Sequence, residues 1–334
     1  MRCWIALPEV TIDTETAIGA AAEAISEYPG YTINNLLNES ENIIFKVADN
    51  SGKKAVLRIH RPNYQTSLGI LSELKWMAFL FAKGIQTPEP IKNRSGHYIT
   101  PTTNNLHATM ITWIAGESLH ALHEKYPEDS PAIDKIYCRL GEVIADIHNA
   151  TDSFEIPAEF ERSSWDIKGF LGTNPLWGRF WENPVLTKVE KNFLLDLKSK
   201  LIMRLEQFLD DGADYGLIHA DVISENVIVA DGYPIIIDYD DSGYGFRMYD
   251  LAVPLYRFYP SPSYTRLASL LKIGYQKNRS FSEKSWDLLN IFVLLRRLAM
   301  LGWVVPRKSP EEIVTKTRDN LRVIETLAEE TNLD

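Results

Sequence analysis

Three polar residues in the second half of the chain have the types and spacing that phosphoryl transfer requires. Asp221 is followed five positions later by Asn226, and Asp238 comes at the end of an apolar run. A carboxylate on a loop can accept the proton of an attacking hydroxyl, while an amide oxygen and a second carboxylate can hold Mg²⁺ on phosphate groups. The pattern therefore predicts Asp221 as the catalytic residue and Asn226 and Asp238 as ligands of a metal ion.

A β-hairpin is predicted between the last two of these residues. The apolar residues 227–229 and 235–237 would form its strands, and the Asp-Gly dipeptide at 231–232 supplies the turn. Such a hairpin places Asn226 and Asp238 side by side at the ends of paired strands. Asp and Asn are also common in turns that have no catalytic role. Their order, their spacing and the hairpin between them favour the catalytic interpretation.

This segment resembles the catalytic core of the aminoglycoside phosphotransferase and choline kinase-like family, which is distantly related to the protein kinases. The H-x-D-x-x-x-x-N motif of that family is matched at His219, Asp221 and Asn226, with Ala220 where the family often has Gly. The metal-binding Asp is matched by Asp238 in an Ile-Asp-Tyr-Asp context. The resemblance extends over nearly the whole chain. It is nearest to the branch with homoserine-type kinases and bacterial stress-response Ser/Thr kinases.

The resemblance implies an α+β, two-lobed, protein-kinase-like fold that binds ATP and Mg²⁺ between its lobes. His219 is expected to hold the loop by hydrogen bonding and not to act as a general base. Asp240 and Asp241 add carboxylates that can reach a second metal ion or attract a cationic acceptor. Asp250 begins a helix and can cap it, and in kinase-like folds an Asp at this place also braces the catalytic loop.

The first third of the chain is predicted to be a small β-rich lobe. Its expected elements are a helix over 15–27 and strands over 31–37, 43–47 and 54–59. In kinase-like lobes the first hairpin covers the nucleotide phosphates, usually through glycines. The loop 38–42 contains no glycine, but the resembled family often has Ser and Asn there, and the resemblance implies that Ser40 and Asn42 donate to phosphate oxygens. An ordinary polar hairpin loop is the alternative.

Arg58 on the third predicted strand takes the place of the phosphate-binding Lys in the kinase V-A-I-K pattern. An Arg stays charged and can bind phosphate oxygens through two parallel hydrogen bonds. Glu73, in a predicted helix over 67–83, is the candidate partner that aligns this cation. The alternatives are a solvent-facing Arg58 on an edge strand and a Glu73 on a solvated helix face.

Two more strands, over 97–100 and 107–113, complete the predicted lobe. The last of them leads into the connector between lobes. Backbone groups of Ile111 and Trp113 are the candidates for hydrogen bonding to the adenine edge of the nucleotide. The ring of Trp113 could equally pack between the lobes, which is the commoner use of a Trp.

The remainder of the chain is predicted to be mostly helical. The expected helices cover 132–149, 185–210, 248–259, 263–277, 282–304 and 310–332. Residues 151–184 are rich in aromatic side chains and are expected to cross this lobe as a long packed loop. In the resembled family such inserts form part of the acceptor pocket. The predicted domains are a nucleotide-binding lobe with its hinge at 1–113 and a helical lobe with the catalytic loop at 114–334.

Composition narrows the functional class. The net charge of −10 argues against nucleic acid as a partner and is compatible with a cationic acceptor. Cys3 and Cys138 give no disulfide framework, and the apolar run at the start is too short for a signal peptide. The longest apolar region, 288–305, is interrupted by two arginines and is read as a buried helix and not a membrane span. These features favour a cytoplasmic enzyme.

The predicted activity is transfer of the γ-phosphoryl group of ATP, with Mg²⁺, to a hydroxyl of a small molecule such as an aminoglycoside-like or amino-alcohol compound. One alternative is a protein Ser/Thr kinase of the stress-response type. Another is a nucleotide-binding pseudokinase, which Arg58 and the glycine-free loop favour and which the intact Asp221, Asn226 and Asp238 weigh against. The sequence leaves open the acceptor, the choice between ATP and GTP, and the oligomeric state.

Overall fold

A computed structural model describes residues 12–38, 42–103 and 105–333. These residues divide into two compact units. We call the first the sheet unit, made of 12–116 and 153–162, and the second the helical unit, made of 117–152 and 163–333. Strands dominate one unit and helices the other, which confirms the predicted α+β class.

The described part of the sheet unit consists of six strands and two helices. Its elements are α1 (Thr14–Ile25), β1 (Tyr31–Asn38), β2 (Ile43–Asp49), β3 (Lys54–Ile59), α2 (Ser67–Ala82), β4 (Pro90–Ile91), β5 (Ile99–Pro101) and β6 (His107–Thr112). They form a six-stranded antiparallel sheet in the order β1-β2-β3-β6-β4, with β5 also paired to β6. The third predicted strand has the same bounds in the structure.

The two faces of strand β3 carry different kinds of side chains, apolar on one face and mainly polar or charged on the other. Side chains alternate along a strand, so Ala55, Leu57 and Ile59 share the face that packs in the hydrophobic core with the alanines of α1. The small alanine side chains let the helix lie close to the sheet. Arg58 and His60 therefore belong to the opposite face, where both are buried.

The segment 153–162 belongs to the sheet unit, although the predicted boundaries assign it to the second lobe. Its backbone is tied to α2, because the N–H of Glu161 donates to Oγ of Ser72 at 2.9 Å. The rings of Phe154 and Phe79 also pack with centroids 4.8 Å apart. Both contacts join residues far apart in sequence, so no local pattern indicated them.

The helical unit contains most of the α-helices and two small sheets. Its elements are β7 (Glu117–Ser118), α3 (Leu119–Lys125), α4 (Pro131–Thr151), β8 (Ser163–Trp165), α5 (Ile167–Leu171), α6 (Lys188–Asp210), β9 (Tyr215–Ile218), β10 (Val227–Ala230), β11 (Tyr233–Ile236), β12 (Gly243–Phe246), α7 (Arg247–Ala252), α8 (Pro262–Tyr275), α9 (Glu283–Trp286), α10 (Leu289–Trp303) and α11 (Pro310–Glu330). The sheets have the orders β11-β10-β7 and β8-β12-β9.

The predicted hairpin is confirmed, with β10 and β11 paired antiparallel and Val227 opposite Ile236. Three other expectations need correction. The predicted loop 151–184 contains β8, α5 and a short 3-10 helix. The predicted helix 248–259 ends at Ala252, since Pro254 has no backbone N–H with which to continue the helical hydrogen bonds. The predicted helix 282–304 is two helices, α9 and α10.

Helices α4 and α8 approach each other unusually closely. A Cβ atom on Gly274 would lie 1.7 Å from the backbone carbonyl oxygen of Cys138, and one on Gly141 would lie 2.1 Å from that of Leu271. The contact therefore requires glycine on both helices. It positions α4, which carries His148, a residue that contacts Asp250. Among the described residues, no helix combines the length and hydropathy needed to cross a membrane.

Candidate active site

The side chain of Asp221 is held at both carboxylate oxygens. Oδ1 accepts a hydrogen bond from Nη2 of Arg296 at 2.5 Å, and Oδ2 accepts one from Nδ2 of Asn226 at 2.9 Å. The Asp221 side chain still has 16% of its surface exposed. A hydroxyl can therefore reach a carboxylate whose orientation is already set.

Asn226 connects this carboxylate to the candidate metal ligands. Its Nδ2 also donates to the backbone carbonyl of Asp221 at 2.9 Å. Its own backbone carbonyl accepts from the N–H of Ile237 at 2.9 Å, so Asn226 lies beside the residue that precedes Asp238. Within the described part of the chain, the Asn226 side chain is hydrogen-bonded through its nitrogen, which leaves Oδ1 as the atom that can bind a cation.

The donor set suits a small divalent cation. An amide oxygen from Asn226 and a carboxylate from Asp238 are hard ligands of the kind that Mg²⁺ prefers. The next carboxylates along the chain are those of Asp240, which is buried, and Asp241, which is half-buried. The backbone carbonyl of Asp241 accepts from Nε1 of Trp165 at 2.7 Å, so the turn after β11 is tied to β8.

Left-handed backbone conformations occur at Asp238 and at Ala220, the residue before Asp221. Ala220 has a φ of 67° and Asp238 a φ of 63°. A residue with a Cβ adopts this region at a cost of about 1–2 kcal/mol, whereas Gly enters it freely. The cost means that contacts elsewhere in the loop must hold both residues in place.

Asp250 supplies such contacts. It lies in the first turn of α7, but its side chain does not cap that helix. Its oxygens accept from the backbone N–H groups of His219 at 2.8 Å and Ala220 at 2.6 Å. Burial raises the pKa of Asp250, but hydrogen bonds from His148 and His219 outweigh burial and lower the pKa overall. The ionised carboxylate therefore braces the loop backbone, and the capping alternative is wrong.

His219 uses both ring nitrogens within the loop. Nε2 lies 3.0 Å from the backbone carbonyl of Ile237 and must donate to it, so this nitrogen carries the proton. Nδ1 then accepts from the backbone N–H of Asp221 at 3.2 Å. The imidazole thus links the loop to the strand end that precedes Asp238.

In the sheet unit, Arg58 and Glu73 form a buried ion pair. Strand β3 is flanked by β2 and β6, so the alternative of a solvent-facing Arg58 on an edge strand is wrong. Glu73 has no exposed surface, so the solvated-face alternative for this residue is also wrong. The role of Arg58 in binding phosphate stays a prediction.

The other nucleotide-binding candidates have structural contacts of their own. Asn42 is buried, and its Oδ1 accepts from the backbone N–H of Arg61 at 3.1 Å. Ser40 lies outside the described residues. Ile111 is buried within β6, and Nζ of Lys46 lies 5.0 Å from the ring centroid of Trp113. Their roles toward a nucleotide stay predictions.

Comparison with known proteins identifies the family. The sequence profile of the family described as "Phosphotransferase enzyme family" matches residues 32–287, which is most of the chain. The chain belongs to this family. It is therefore a phosphotransferase, a kinase with an alcohol group as acceptor, and the predicted resemblance is confirmed.

Relatives of the phosphotransferase are kinases as well. It is 22% identical over 300 residues to the amicoumacin kinase of Bacillus subtilis (strain 168), covering 84% of this chain and 82% of that protein. It is 27% identical over 265 residues to a homoserine kinase of Rhodopseudomonas palustris (strain BisB5), covering 73% and 74%. A microcompartment-associated aminopropanol kinase has a similar structure, with a TM-score of 0.80 and 26% identity over 95% of this chain and 99% of that one. These similarities confirm the kinase-like fold.

Two residues that contact the catalytic segment of the phosphotransferase were not among the sequence candidates. Arg296 was noted only as an interruption of an apolar helix. The signal was present, because a charged residue inside an apolar helix requires a buried partner. His148 had no such signal, since a His on the apolar face of α4 is ordinary.

His148 forms a hydrogen bond with Asp250, the residue that holds the loop backbone. Its Nε2 donates to Oδ2 of Asp250 at 3.1 Å, and its Nδ1 lies 2.9 Å from the hydroxyl of Tyr275. Burial lowers the pKa of His148 from 6.5 to about 4, against the opposing effect of the hydrogen bond to Asp250. His148 is therefore neutral at neutral pH.

This pKa predicts a pH-dependent stability. Between pH about 4 and 6.5 the unfolded chain binds a proton at His148 that the folded protein does not bind. The free energy of unfolding should then fall as the pH is lowered through this window, by up to about 1.4 kcal/mol per pH unit from this residue. Replacing His148 by Gln removes the titrating group and should flatten the dependence, as measured by urea unfolding at pH 4.5–7.

The exposed His120 provides the matched control, because His120→Gln removes an imidazole that is not buried. The buried His60, whose pKa is also lowered by burial, contributes equally to all three proteins and cancels in the comparison. An unchanged pH dependence in His148→Gln would show that His148 is protonated in the folded protein.

Proposed function

We propose that this phosphotransferase transfers the γ-phosphoryl group of ATP, with Mg²⁺, to the hydroxyl of a small amino alcohol. The observation that carries the proposal is the contact between Asp221 and Asn226. The side-chain nitrogen of Asn226 orients the Asp221 carboxylate, which leaves the Asn226 side-chain oxygen to bind a cation. Its relatives support a small-molecule acceptor, since homoserine and aminopropanol each carry both an amino group and a hydroxyl group. No observation favours a protein substrate.

In this proposal Asp221 receives the acceptor hydroxyl by hydrogen bonding. The hydroxyl oxygen forms the new bond to the γ-phosphorus as the bond to the leaving oxygen of ADP breaks, and the hydroxyl proton passes to Asp221. Asn226 and Asp238 would hold Mg²⁺, which would neutralise charge on the phosphates. Arg58, aimed by Glu73, contacts phosphate oxygens.

The first test is an acceptor screen. The purified protein is incubated with Mg·ATP and separately with 1-amino-2-propanol, homoserine, choline, an aminoglycoside and casein, and phosphorylated products are detected by mass spectrometry. We expect an amino alcohol to be phosphorylated.

The Asp221→Asn variant keeps the shape of the side chain and loses the proton acceptor, so it should lower kcat by about 10²-fold or more while ATP affinity is kept. Preferential labelling of casein, or full turnover by the variant, would contradict the proposal.

The second test concerns the metal. Asp238→Ala removes the anionic ligand and should abolish Mg²⁺-dependent ATP binding, measured by calorimetry at several Mg²⁺ concentrations. Asn226→Ala should have a milder effect, because a neutral amide contributes less to binding the ion. Asp231→Asn is the control, since it removes a charge from the exposed turn of the same hairpin. ATP binding by Asp238→Ala with unchanged Mg²⁺ dependence would exclude Asp238 as a ligand.

The third test concerns Arg58. Arg58→Ala should lower kcat/KM for ATP strongly, and Arg58→Lys should restore part of it, because an ammonium keeps the charge but loses bidentate contact. Glu73→Gln should cause a weaker defect of the same kind. Lys54→Ala, which removes an exposed cation from the same strand, should leave kcat/KM unchanged. Full activity of Arg58→Ala would leave the sheet unit without its proposed phosphate-binding residue.

A further inference from the structure

A second buried arginine contacts the candidate catalytic residue directly. Arg296 comes from α10, far along the chain, and its Nη2 donates to Oδ1 of Asp221 at 2.5 Å. Since Asn226 donates to Oδ2, the carboxylate is held at one oxygen by a guanidinium and at the other by an amide. With both oxygens engaged, rotation of the carboxylate about its bond to Cβ would break at least one hydrogen bond.

The guanidinium of Arg296 is itself held by aromatic side chains. Its central carbon lies 4.4 Å from the ring centroid of Trp177 and 5.2 Å from that of Tyr256, at distances that favour cation–π attraction. Nη1 lies 3.5 Å from the hydroxyl of Tyr249. The Arg296 side chain is only 3% exposed. It therefore has little freedom to leave Asp221.

The guanidinium of Arg296 also keeps its positive charge in this buried position. Burial lowers the pKa of Arg296, but the interactions with Tyr249 and Asp221 outweigh burial and raise the pKa overall. A buried cation of this kind is costly unless an anion compensates it. Asp221 supplies the compensating carboxylate, so the ion pair is present before any substrate binds.

The neighbouring Arg297 provides a contrast. Its Nη2 donates to the backbone carbonyls of Tyr256 at 2.5 Å and Tyr259 at 3.3 Å, and its Nη1 donates to Asn320 at 3.3 Å. These contacts join α10 to the segment after α7 and to α11. Arg297 thus carries the same charge on the same helix as Arg296, but its hydrogen bonds join parts of the fold outside the candidate site.

We propose that Arg296 is a positioning residue for phosphoryl transfer. It holds the Asp221 carboxylate in the orientation that receives the acceptor hydroxyl, and it acts on the reaction through that carboxylate alone. The inference rests on the proposed function, because it gives Arg296 a part in the same transfer. Loss of orientation at a catalytic group is costly, since a displacement of about 1 Å can lower a rate by about 10²-fold.

A double-mutant cycle tests the inference. The proteins are wild type, Arg296→Met, Asp221→Asn and the double variant, assayed with Mg·ATP and 1-amino-2-propanol or the member of the screening panel that wild type phosphorylates fastest. Arg296→Met should lower kcat by about 10- to 10²-fold, with KM for ATP nearly unchanged. In the Asp221→Asn background the same substitution should lower kcat by less than about 3-fold, because residues acting as a unit are not additive.

Two further variants separate positioning from stability. Arg296→Lys keeps a donor and a charge at the site and should recover part of the lost kcat. Arg297→Met removes the neighbouring guanidinium, so it should lower the melting temperature while keeping kcat close to that of wild type. Thermal unfolding of every variant identifies any loss of activity that comes from unfolding.

Each outcome distinguishes the inference from the function on which it rests. Equal losses in the two backgrounds would show that Arg296 acts on substrate or on the fold, which overturns the inference. Full kcat in Arg296→Met, with an active wild type, overturns the inference and leaves the proposed function intact. A wild type that phosphorylates no member of the panel overturns the proposed function and the inference with it.

Discussion

The carboxylate of Asp250 accepts hydrogen bonds from the backbone N–H groups of His219 and Ala220, and the rest of the catalytic segment depends on this interaction. Ala220 must adopt a left-handed conformation to reach it, and that turn sets the direction of Asp221. Since a buried charge needs full compensation, His148 supplies a third donor. The carboxylate of Asp250 on α7 thus holds the loop, and a hydrogen bond from His148 on α4 stabilises that carboxylate.

A second constraint follows from the placement of charge. Each of the two described units contains a buried arginine paired with a carboxylate, Arg58 with Glu73 and Arg296 with Asp221. Such pairs contribute little net stability, because desolvation offsets most of the attraction. What they supply is direction, since the planar guanidinium and the carboxylate fix one another's orientation. The arrangement suits groups that must meet a substrate in one geometry.

The parts of the site that the sequence predicts are the local ones. The hairpin follows from the alternation of apolar runs and an Asp-Gly turn, and the pairing of Val227 with Ile236 confirms it. The family resemblance added Arg58 and Glu73, whose pairing requires only a strand and the next helix. His148 and Arg296 were missed because they lie 102 and 75 residues from Asp250 and Asp221. Contacts over such separations are set by tertiary packing, which no periodicity encodes.

Arg58 stands where the kinase V-A-I-K pattern has a Lys. A Lys ammonium has three donors on a flexible stem, whereas a guanidinium has five in a fixed plane. An Arg can therefore bond to Glu73 and still direct other N–H groups toward phosphate oxygens, with less freedom lost for each bond. The Arg58 side chain is buried, and its guanidinium pairs with Glu73. Arg58 thus keeps the positive charge of the Lys in the kinase pattern and differs from it in the geometry of its donors.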